Sequence, residues 1–314
     1  MSTKHRLSEF KAGMEPTVKE LKFIIIRMRK SPLSIVGIAI ILFYVAIALL
    51  CPILAPPGYP SQGGDPYKMP HEGWTVTPSP PSEKHPFGTT AYQYDIYYGC
   101  IWGTRIAFYV GTLVVGISLA VGLFIGIFSG YYGGVIDEIV MRFTDIIYAF
   151  PGLIFAMALV VAFGRSLTSV LIALSLVGWP TYARVMRSEV LRVKQEDYVE
   201  AAKAVGCSDL RVIVKHVIPN SIYPLLIMAS LDIGGIVLTA AALSFLGLGS
   251  SMGFADWGQI INHSRDWLTG VPGNGLAYWY TFVTPGAFIF TFVLGWNLLG
   301  DALRDVLDPM IRRR

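Results

Sequence analysis

The residues best placed to do chemistry lie in one polar segment, Tyr198 to Asn220, which separates two strongly apolar stretches. Glu200 carries a carboxylate beside two small side chains, Ala201 and Ala202. Small side chains let another surface come close, and a basic group on that surface could then pair with the acid. This pattern favours ion pairing at an interface over bond-breaking chemistry.

The spacing of apolar residues in this segment predicts two short helices joined by a hinge. Gly206 stands where a helix needs a left-handed terminal residue, and Ser208 could cap the helix that follows. Pro219 fixes the backbone just before the next apolar stretch. The predicted apolar faces are Tyr198, Ala201, Ala202 and Val205 in the first helix, and Leu210, Ile213, Val214 and Val217 in the second.

Two other interpretations of the segment are weaker. A helix-turn-helix can read DNA, but DNA-binding domains are seldom placed between membrane spans, so no nucleic-acid partner is expected. A purely structural pair of surface helices explains the apolar faces but not the small residues beside Glu200. His216 is interpreted as a charge near a helix end rather than as a catalytic base.

The composition indicates an all-α membrane protein. Hydrophobic residues make up 54% of the 314 residues and charged residues 15%, and the apolar residues form continuous runs of about twenty without strand-like alternation. Cys51, Cys100 and Cys207 are far apart and form no CxxC pair, so neither a disulfide nor a zinc site is predicted. The sequence has no GxxxxGK[ST] phosphate loop, so this chain is not expected to bind ATP in the usual way.

Six transmembrane helices are predicted, with both termini in the cytoplasm. Eight Lys or Arg against three acids before residue 32 place the N-terminus inside. The predicted spans are Leu33–Leu54, Ile106–Ser129, Ile146–Phe163, Leu167–Tyr182, Tyr223–Leu248 and Tyr280–Leu299.

These spans divide the chain into five parts. The tail 1–31 contains a predicted interfacial helix, with a disordered basic tail as the alternative, and the tail 301–314 is expected in the cytoplasm. In the external loop the segment 58–84 is interpreted as an irregular insertion that serves as a linker, with a ligand-facing or partner-facing role as the alternative. The core includes a predicted cytoplasmic loop, 188–220. In order, the parts are 1–31, 32–54 as the first transmembrane helix, 55–105 as the external loop, 106–300 as a five-helix core, and 301–314.

Asp232 is a carboxylate inside the fifth predicted span. A charge at that depth costs several kcal/mol when it faces lipid, so the side chain should face the bundle interior, a partner or water. It could line a transport path, or it could pair with a neighbouring polar group for packing only.

Asp137 and Arg142 could pair on one helix. The acids Asp301, Asp305 and Asp308 are interpreted as a solvated face rather than a metal site, and Trp257, Trp267 and Trp279 as an interfacial aromatic belt.

The segment resembles the EAA loop of membrane subunits of ATP-binding-cassette importers. Glu200-Ala201-Ala202, Gly206, His216 and Pro219 stand at the spacing of that loop. The similarity extends to Gly130-Tyr-Tyr-Gly-Gly134, Leu243-Ser-Phe-Leu-Gly-Leu-Gly249 and Asn297-Leu-Leu-Gly-Asp-Ala-Leu-Arg-Asp-Val-Leu-Asp-Pro309, which look like the C-type permease subunit of dipeptide, oligopeptide and nickel importers.

The resemblance implies a MetI-like type I importer fold in the cell membrane of a bacterium or archaeon. It implies a heterodimer with a B-type permease, an external binding protein that delivers substrate, and two ATPase subunits that bind ATP and Mg. This chain would then hold no cofactor, no metal and no catalytic residue. Its ATPase-coupling residues would be Glu200, Ala201, Ala202, Gly206, His216 and Pro219.

One stretch departs from the family pattern. Gly88-Thr-Thr-Ala-Tyr-Gln-Tyr-Asp95 keeps the first two residues and the last of a usual GTDxxGRD segment but replaces its middle acid, glycine and arginine. Some relatives import oligosaccharides such as cellobiose, so a peptide, an oligosaccharide and nickel are all kept as alternative substrates. A proton-driven secondary transporter working through Asp232 and an intramembrane enzyme are the rival classes, and neither explains the loop between the fourth and fifth spans.

Overall fold

The structure, a computed structural model, describes residues 31–307. The predicted interfacial helix of the N-terminal tail, Asp308 and the terminal arginines lie outside this range. The described part is helical, with a few isolated β-bridges. Its helices are α1 (Pro32–Leu54), α2 (Ile96–Tyr132), α3 (Gly134–Tyr148), α4 (Gly152–Phe163), α5 (Leu167–Val193), α6 (Asp197–Ala204), α7 (Asp209–Val212), α8 (Ile218–Ser221), α9 (Tyr223–Phe245), α10 (Trp257–His263) and α11 (Tyr280–Leu307).

Five helices, α1, α2, α5, α9 and α11, are long and apolar enough to cross a membrane. The pair α3 and α4 passes the same test together, but it is bent by 88°. The third predicted span, Ile146–Phe163 with Pro151 near its inner end, is therefore not one helix, because its first residues belong to α3 and those from Gly152 on belong to α4. Pro151 explains the break, because proline has no N–H to donate and the residue before it avoids helical backbone angles.

Several predicted helix ends also need correction. The second span begins at Ile96 rather than Ile106, so residues 96–105 are helical and do not belong to the loop. Asp95 sets this start, because its carboxylate accepts the Tyr98 N–H at 2.9 Å. The other differences are that α5 continues past Tyr182 to Val193, α9 ends at Phe245 instead of Leu248, and α11 continues past Leu299 into the predicted tail as far as Leu307.

The core forms around a close contact between α2 and α5. Three glycines four residues apart on α2, at positions 122, 126 and 130, allow the two backbones to approach. A Cβ at Gly122 would lie 2.3 Å from the Tyr182 Cβ, and one at Gly126 would lie 2.6 Å from the Ala183 carbonyl oxygen. Helix α9 packs against α2 and α11, and α1 packs against α11.

Residues 55–95 and 246–279 form a compact structure, here called the cap, at the end of the bundle where α2 begins. Met69 is 1% exposed, and its N–H donates to the Gly253 carbonyl at 2.7 Å. The Ala255 N–H donates to the Tyr67 carbonyl at 2.8 Å. The interpretation of 58–84 as a linker is wrong for the stretch around Met69, which packs onto the residues that follow α9, whereas residues 72–77 are exposed.

Trp257 lies in the core rather than at an interface. It is 3% exposed, its indole N–H donates to the Cys100 carbonyl at 3.0 Å, and its ring packs edge-on against Tyr44 and Phe292. The predicted aromatic belt is therefore wrong for this residue. Trp279, in contrast, is 48% exposed.

Candidate functional site: the loop between α5 and α9 and a cavity with one carboxylate

The loop between α5 and α9 contains two short helical pieces joined at a glycine. Helix α6 ends before Gly206, whose φ of +83° is confirmed as left-handed. Nothing lies within 4 Å of a Cβ built there, so the backbone angle and not crowding favours glycine. Ser208 does occupy the cap position of α7, but its side chain makes no cap hydrogen bond, contrary to the sequence expectation.

The predicted apolar faces of the loop are divided between the protein interior and solvent. Ile213 and Val217 are buried, and so is Ala202 at 9% exposure. Ala201 is exposed, so the expectation that both alanines face a partner needs correction for Ala202, which packs inside this chain. The remaining members form an exposed set, here called the loop patch, made of Tyr198, Val205, Leu210 and Val214, which are 42%, 80%, 72% and 54% exposed.

The polar members of the loop are also accessible. Glu200 is exposed, and within residues 31–307 no cationic nitrogen lies within 4 Å of its carboxylate. Burial raises the pKa of Tyr198. The His216 ring is half-buried, 6.5 Å from the Tyr198 ring.

A π-helical turn, Ile213–Val217, connects α7 to α8. Pro219 follows it and has no N–H for the Lys215 carbonyl, which removes one α-helical hydrogen bond at this point. The Ile218 N–H instead donates to the Ile213 carbonyl. Such turns are frequent at functional sites.

Tyr131, at the end of α2, holds the loop in place. Its hydroxyl donates to Asp209 Oδ1 at 2.7 Å, and its carbonyl accepts from Lys194 Nζ at 2.5 Å. The ammonium of Lys203 lies 5.1 Å from the centre of its ring. Hydrogen bonding and cation–π contact thus connect α2 to α5, α6 and α7 at one residue.

Asp232 lines a cavity of about 270 Å³ between α2, α5 and α9. Its Oδ2 accepts a hydrogen bond from the Tyr182 hydroxyl at 2.7 Å. The wall also carries hydroxyl groups and two glycines, and its residues are Val115, Ser118, Gly178, Thr181, Tyr182, Asp232, Gly235, Ile236 and Thr239. A larger groove of about 460 Å³ between α9, α10 and α11 is lined by apolar residues and offers no converging polar groups.

Asp137 pairs with a different residue from the one predicted. Its carboxylate accepts from Arg187 Nε at 2.5 Å and from Arg187 Nη2 at 2.6 Å, and it also accepts from the Ser129 hydroxyl. The predicted partner, Arg142, makes no ion pair with it. The pair therefore joins α3 to α5 instead of bracing a single helix.

Two titratable groups are buried in the cap. Burial raises the pKa of Asp256, although its carboxylate accepts from the Ser244 and Ser250 hydroxyls and from the Gly258 N–H. Burial lowers the pKa of His263 to about 4. His263 therefore stays neutral near pH 7, and its ring packs 5.0 Å from the ring of Tyr94.

Comparison with known proteins agrees with this helical bundle. The family described as "Binding-protein-dependent transport system inner membrane component" matches residues 122–313, more than half of the chain. The family described as "N-terminal TM domain of oligopeptide transport permease C" matches residues 22–70. The chain belongs to these transport permeases. It is a multi-pass membrane protein.

Three relatives show how far the similarity extends. The permease is 36% identical over 290 residues to a dipeptide transport system permease protein of Alkalihalophilus pseudofirmus, with 91% of this chain and 88% of the relative covered. It is 35% identical over 307 residues to a probable D,D-dipeptide transport system permease protein of Escherichia coli K12, covering 96% and 97%. It is 32% identical over 286 residues to a glutathione transport system permease protein of Escherichia coli O6:K15:H31, covering 91% and 89%.

Solved structures support the fold. An inward-facing structure of the MetNI methionine ABC transporter superposes with a TM-score of 0.53 at 18% identity and covers 67% of the permease and 96% of that chain. The MetI-like architecture predicted from sequence is confirmed at this level.

Sequence reasoning missed two features of the permease. Tyr131 lies in the Gly130-to-Gly134 motif, but the sequence indicated no role for it. Its position next to a predicted helix end could have indicated a contact with the loop. The glycines at 122, 126 and 130 follow the small-residue spacing typical of close helix pairs in membranes, so this contact could have been predicted.

Proposed function

We propose that this chain is one of two membrane subunits of an ATP-driven importer in the cell membrane of a bacterium or archaeon, and that its cargo is a dipeptide or short oligopeptide. Two separate ATPase subunits bind ATP and Mg, an external binding protein delivers the cargo, and a homologous permease completes the path. The names of the relatives with 36% and 35% identity support the choice of cargo.

The loop patch is the observation that carries the coupling role. Valine and leucine side chains that are 54% to 80% exposed on one short segment are typical of an interaction surface. Leu210 and Val214 lie four residues apart and so share one helical face. Glu200, exposed on α6 of the same loop, is available for a basic group of the partner. We assign the ATPase subunit as this partner.

The packing beneath the patch supports transmission of motion. Val193, Val199, Ala202, Val212 and Val217 are buried in one cluster with residues of α2, α5 and α9. Because a close-packed cluster moves as a unit rather than deforming continuously, a push on the loop would reach these three helices together. They are the helices that enclose the cavity of Asp232, which we assign to the translocation path.

The test uses the complete importer in proteoliposomes, with labelled dipeptide outside and ATP available to the ATPase subunits. Leu210→Glu should weaken association with the ATPase subunits by roughly tenfold, since it places a charge in an apolar contact. Gly206→Pro should abolish uptake, because proline cannot adopt a φ of +83° and lacks the N–H that Gly206 donates to the Lys203 carbonyl.

Val76→Glu is the matched control, since Val76 is also an exposed valine, at 55%, but lies in the cap. It should leave association with the ATPase subunits unchanged. Normal ATP-driven uptake by Leu210→Glu and Gly206→Pro would overturn the coupling role. Uptake that survives without ATP but collapses with an uncoupler would show a secondary transporter, and uptake of cello-oligosaccharides instead of peptides would overturn the cargo.

A further inference from the structure

The cavity between α2, α5 and α9 contains one acidic side chain and no basic one. Of the nine residues that line it, Asp232 alone has a carboxyl group, and none is Lys, Arg or His. Within residues 31–307 no cationic nitrogen lies within 4 Å of Asp232. A carboxylate in this setting costs several kcal/mol unless a cation or a hydrogen-bond donor compensates it.

Tyr182 compensates this charge in part. Its hydroxyl donates to Oδ2 of Asp232 at 2.7 Å and so fixes the direction of the carboxylate. A carboxylate has about four acceptor positions on its two oxygens, and one hydrogen bond leaves the others available. The hydroxyl oxygens of Ser118, Thr181 and Thr239 in the same wall are further acceptors.

The cavity also has room for a ligand beside Asp232. Gly235 lies one helical turn from Asp232 on α9, and nothing lies within 4 Å of a Cβ built on it. A ligand group could therefore approach the α9 backbone at this point. A primary ammonium group has three donors and no acceptor, so it matches a wall with one carboxylate and several hydroxyl oxygens.

We propose that Asp232 and the hydroxyls around it bind the free amino end of the cargo during transport, so that the cavity selects a primary ammonium group. The inference rests on the proposed function, because it takes the cargo to be a peptide. One charged contact is enough to attract the cargo. Because no second charged group of the wall holds it, the cargo can leave again, as a transport path requires.

The first experiment measures the charge of the cavity in the purified importer without its binding protein. Thr239→Cys places a thiol in the wall, and Cys207→Ser removes the half-exposed native thiol, whereas Cys51 and Cys100 are buried. The rates of modification by a cationic and an anionic thiosulfonate reagent are compared. Adding Asp232→Asn should lower the cationic-to-anionic rate ratio by roughly tenfold, because one full charge about 10 Å away along α9, in the same cavity, is lost.

The second experiment asks what the site binds. Ala-Ala should protect the cysteine from modification at lower concentration than N-acetyl-Ala-Ala does, and Asp232→Asn should remove that difference. Asp266→Asn is the matched control, since it removes an exposed carboxylate in the cap. It should change neither the rate ratio nor the protection.

An unchanged rate ratio in Asp232→Asn would overturn the proposal and leave Asp232 as a packing group held by Tyr182. Equal protection by the two dipeptides, or protection by neither, would also overturn it. ATP-driven uptake of Ala-Ala by the wild-type importer is measured separately. Failure of that uptake, with the charge effect intact, would count against the proposed cargo and not against the cation site.

Discussion

Arg187 binds Asp137 through two parallel hydrogen bonds, from Nε to Oδ1 at 2.5 Å and from Nη2 to Oδ2 at 2.6 Å. The two residues are fifty positions apart, and the pair ties α3 to α5 beside the close contact of α5 with α2. The side chains are 33% and 18% exposed, so solvent weakens the pair only in part. A planar guanidinium can make this paired contact and an ammonium cannot.

Arg187→Lys should lower the free energy of unfolding by about 1–3 kcal/mol, because one of two charge-assisted hydrogen bonds is lost. The measurement is the thermal unfolding midpoint of the purified importer. Arg192→Lys is the control, since Arg192 pairs with Glu189 while 57% exposed and should matter little. Equal shifts in the two variants would contradict a special role for the pair with Asp137.

Gly126→Val should separate α2 from α5. Its Cβ would lie 2.6 Å from the Ala183 carbonyl oxygen and from the Met186 Cβ, and such overpacking costs about 1–3 kcal/mol or more. Gly116→Val on the same helix changes helix propensity equally, but nothing lies within 4 Å of its Cβ. Stability and membrane yield should fall for Gly126→Val only, and similar losses for both variants would refute the packing argument.

Tyr131→Phe should loosen the loop while keeping the ring under the two lysines. It removes the hydrogen bond to Asp209, and we expect peptide uptake per ATP hydrolysed to fall several-fold, because motion of the loop would reach α2 less completely. Tyr132→Phe is the matched control at the neighbouring position, where the ring is 48% exposed. An unchanged ratio of uptake to hydrolysis in Tyr131→Phe would exclude this role for the hydroxyl.

His263 should make the stability of the permease depend on pH. Above pH 6.5 the imidazole is neutral in both the folded and the unfolded chain and contributes nothing. Between pH 6.5 and about 4 the unfolded chain binds a proton that the folded chain does not, because burial lowers the pKa of His263 to about 4. Stability therefore falls as pH falls through this window, by about 3 kcal/mol at its lower end.

His263→Gln removes this proton-linked loss. The unfolding midpoint of the variant relative to wild type should be constant above pH 6.5 and should rise steadily towards pH 4.5. Asp256, whose pKa burial raises, is present in both proteins and cancels in the difference. A difference that stays flat over the whole range would show that His263 is protonated in the folded chain.

Local patterns determined much of this protein. Apolar runs of about twenty residues specify membrane helices because a helix satisfies its own backbone, which is why five of the six spans and the two-piece loop around Gly206 could be predicted. The hinge at Gly206 could be predicted because it depends on the φ angle of that residue and not on a contact with another part of the chain. The third span is predicted at Ile146–Phe163 with Pro151 near its inner end, but the local pattern does not give the 88° bend between α3 and α4.

The tertiary structure decided which side chains meet. The periodicity of apolar residues predicts one apolar face on each loop helix. Whether a residue of that face is buried, as Ala202 is, or exposed, as Leu210 is, depends on where α2, α5 and α9 lie beneath the loop. Likewise, Asp137 forms its ion pair with Arg187 of another helix, although Arg142 lies on its own helix. The Asp232 carboxylate accepts a hydrogen bond from Tyr182, which is fifty residues away in the sequence. Contacts between residues distant in sequence depend on how the helices pack, and no local pattern encodes that arrangement.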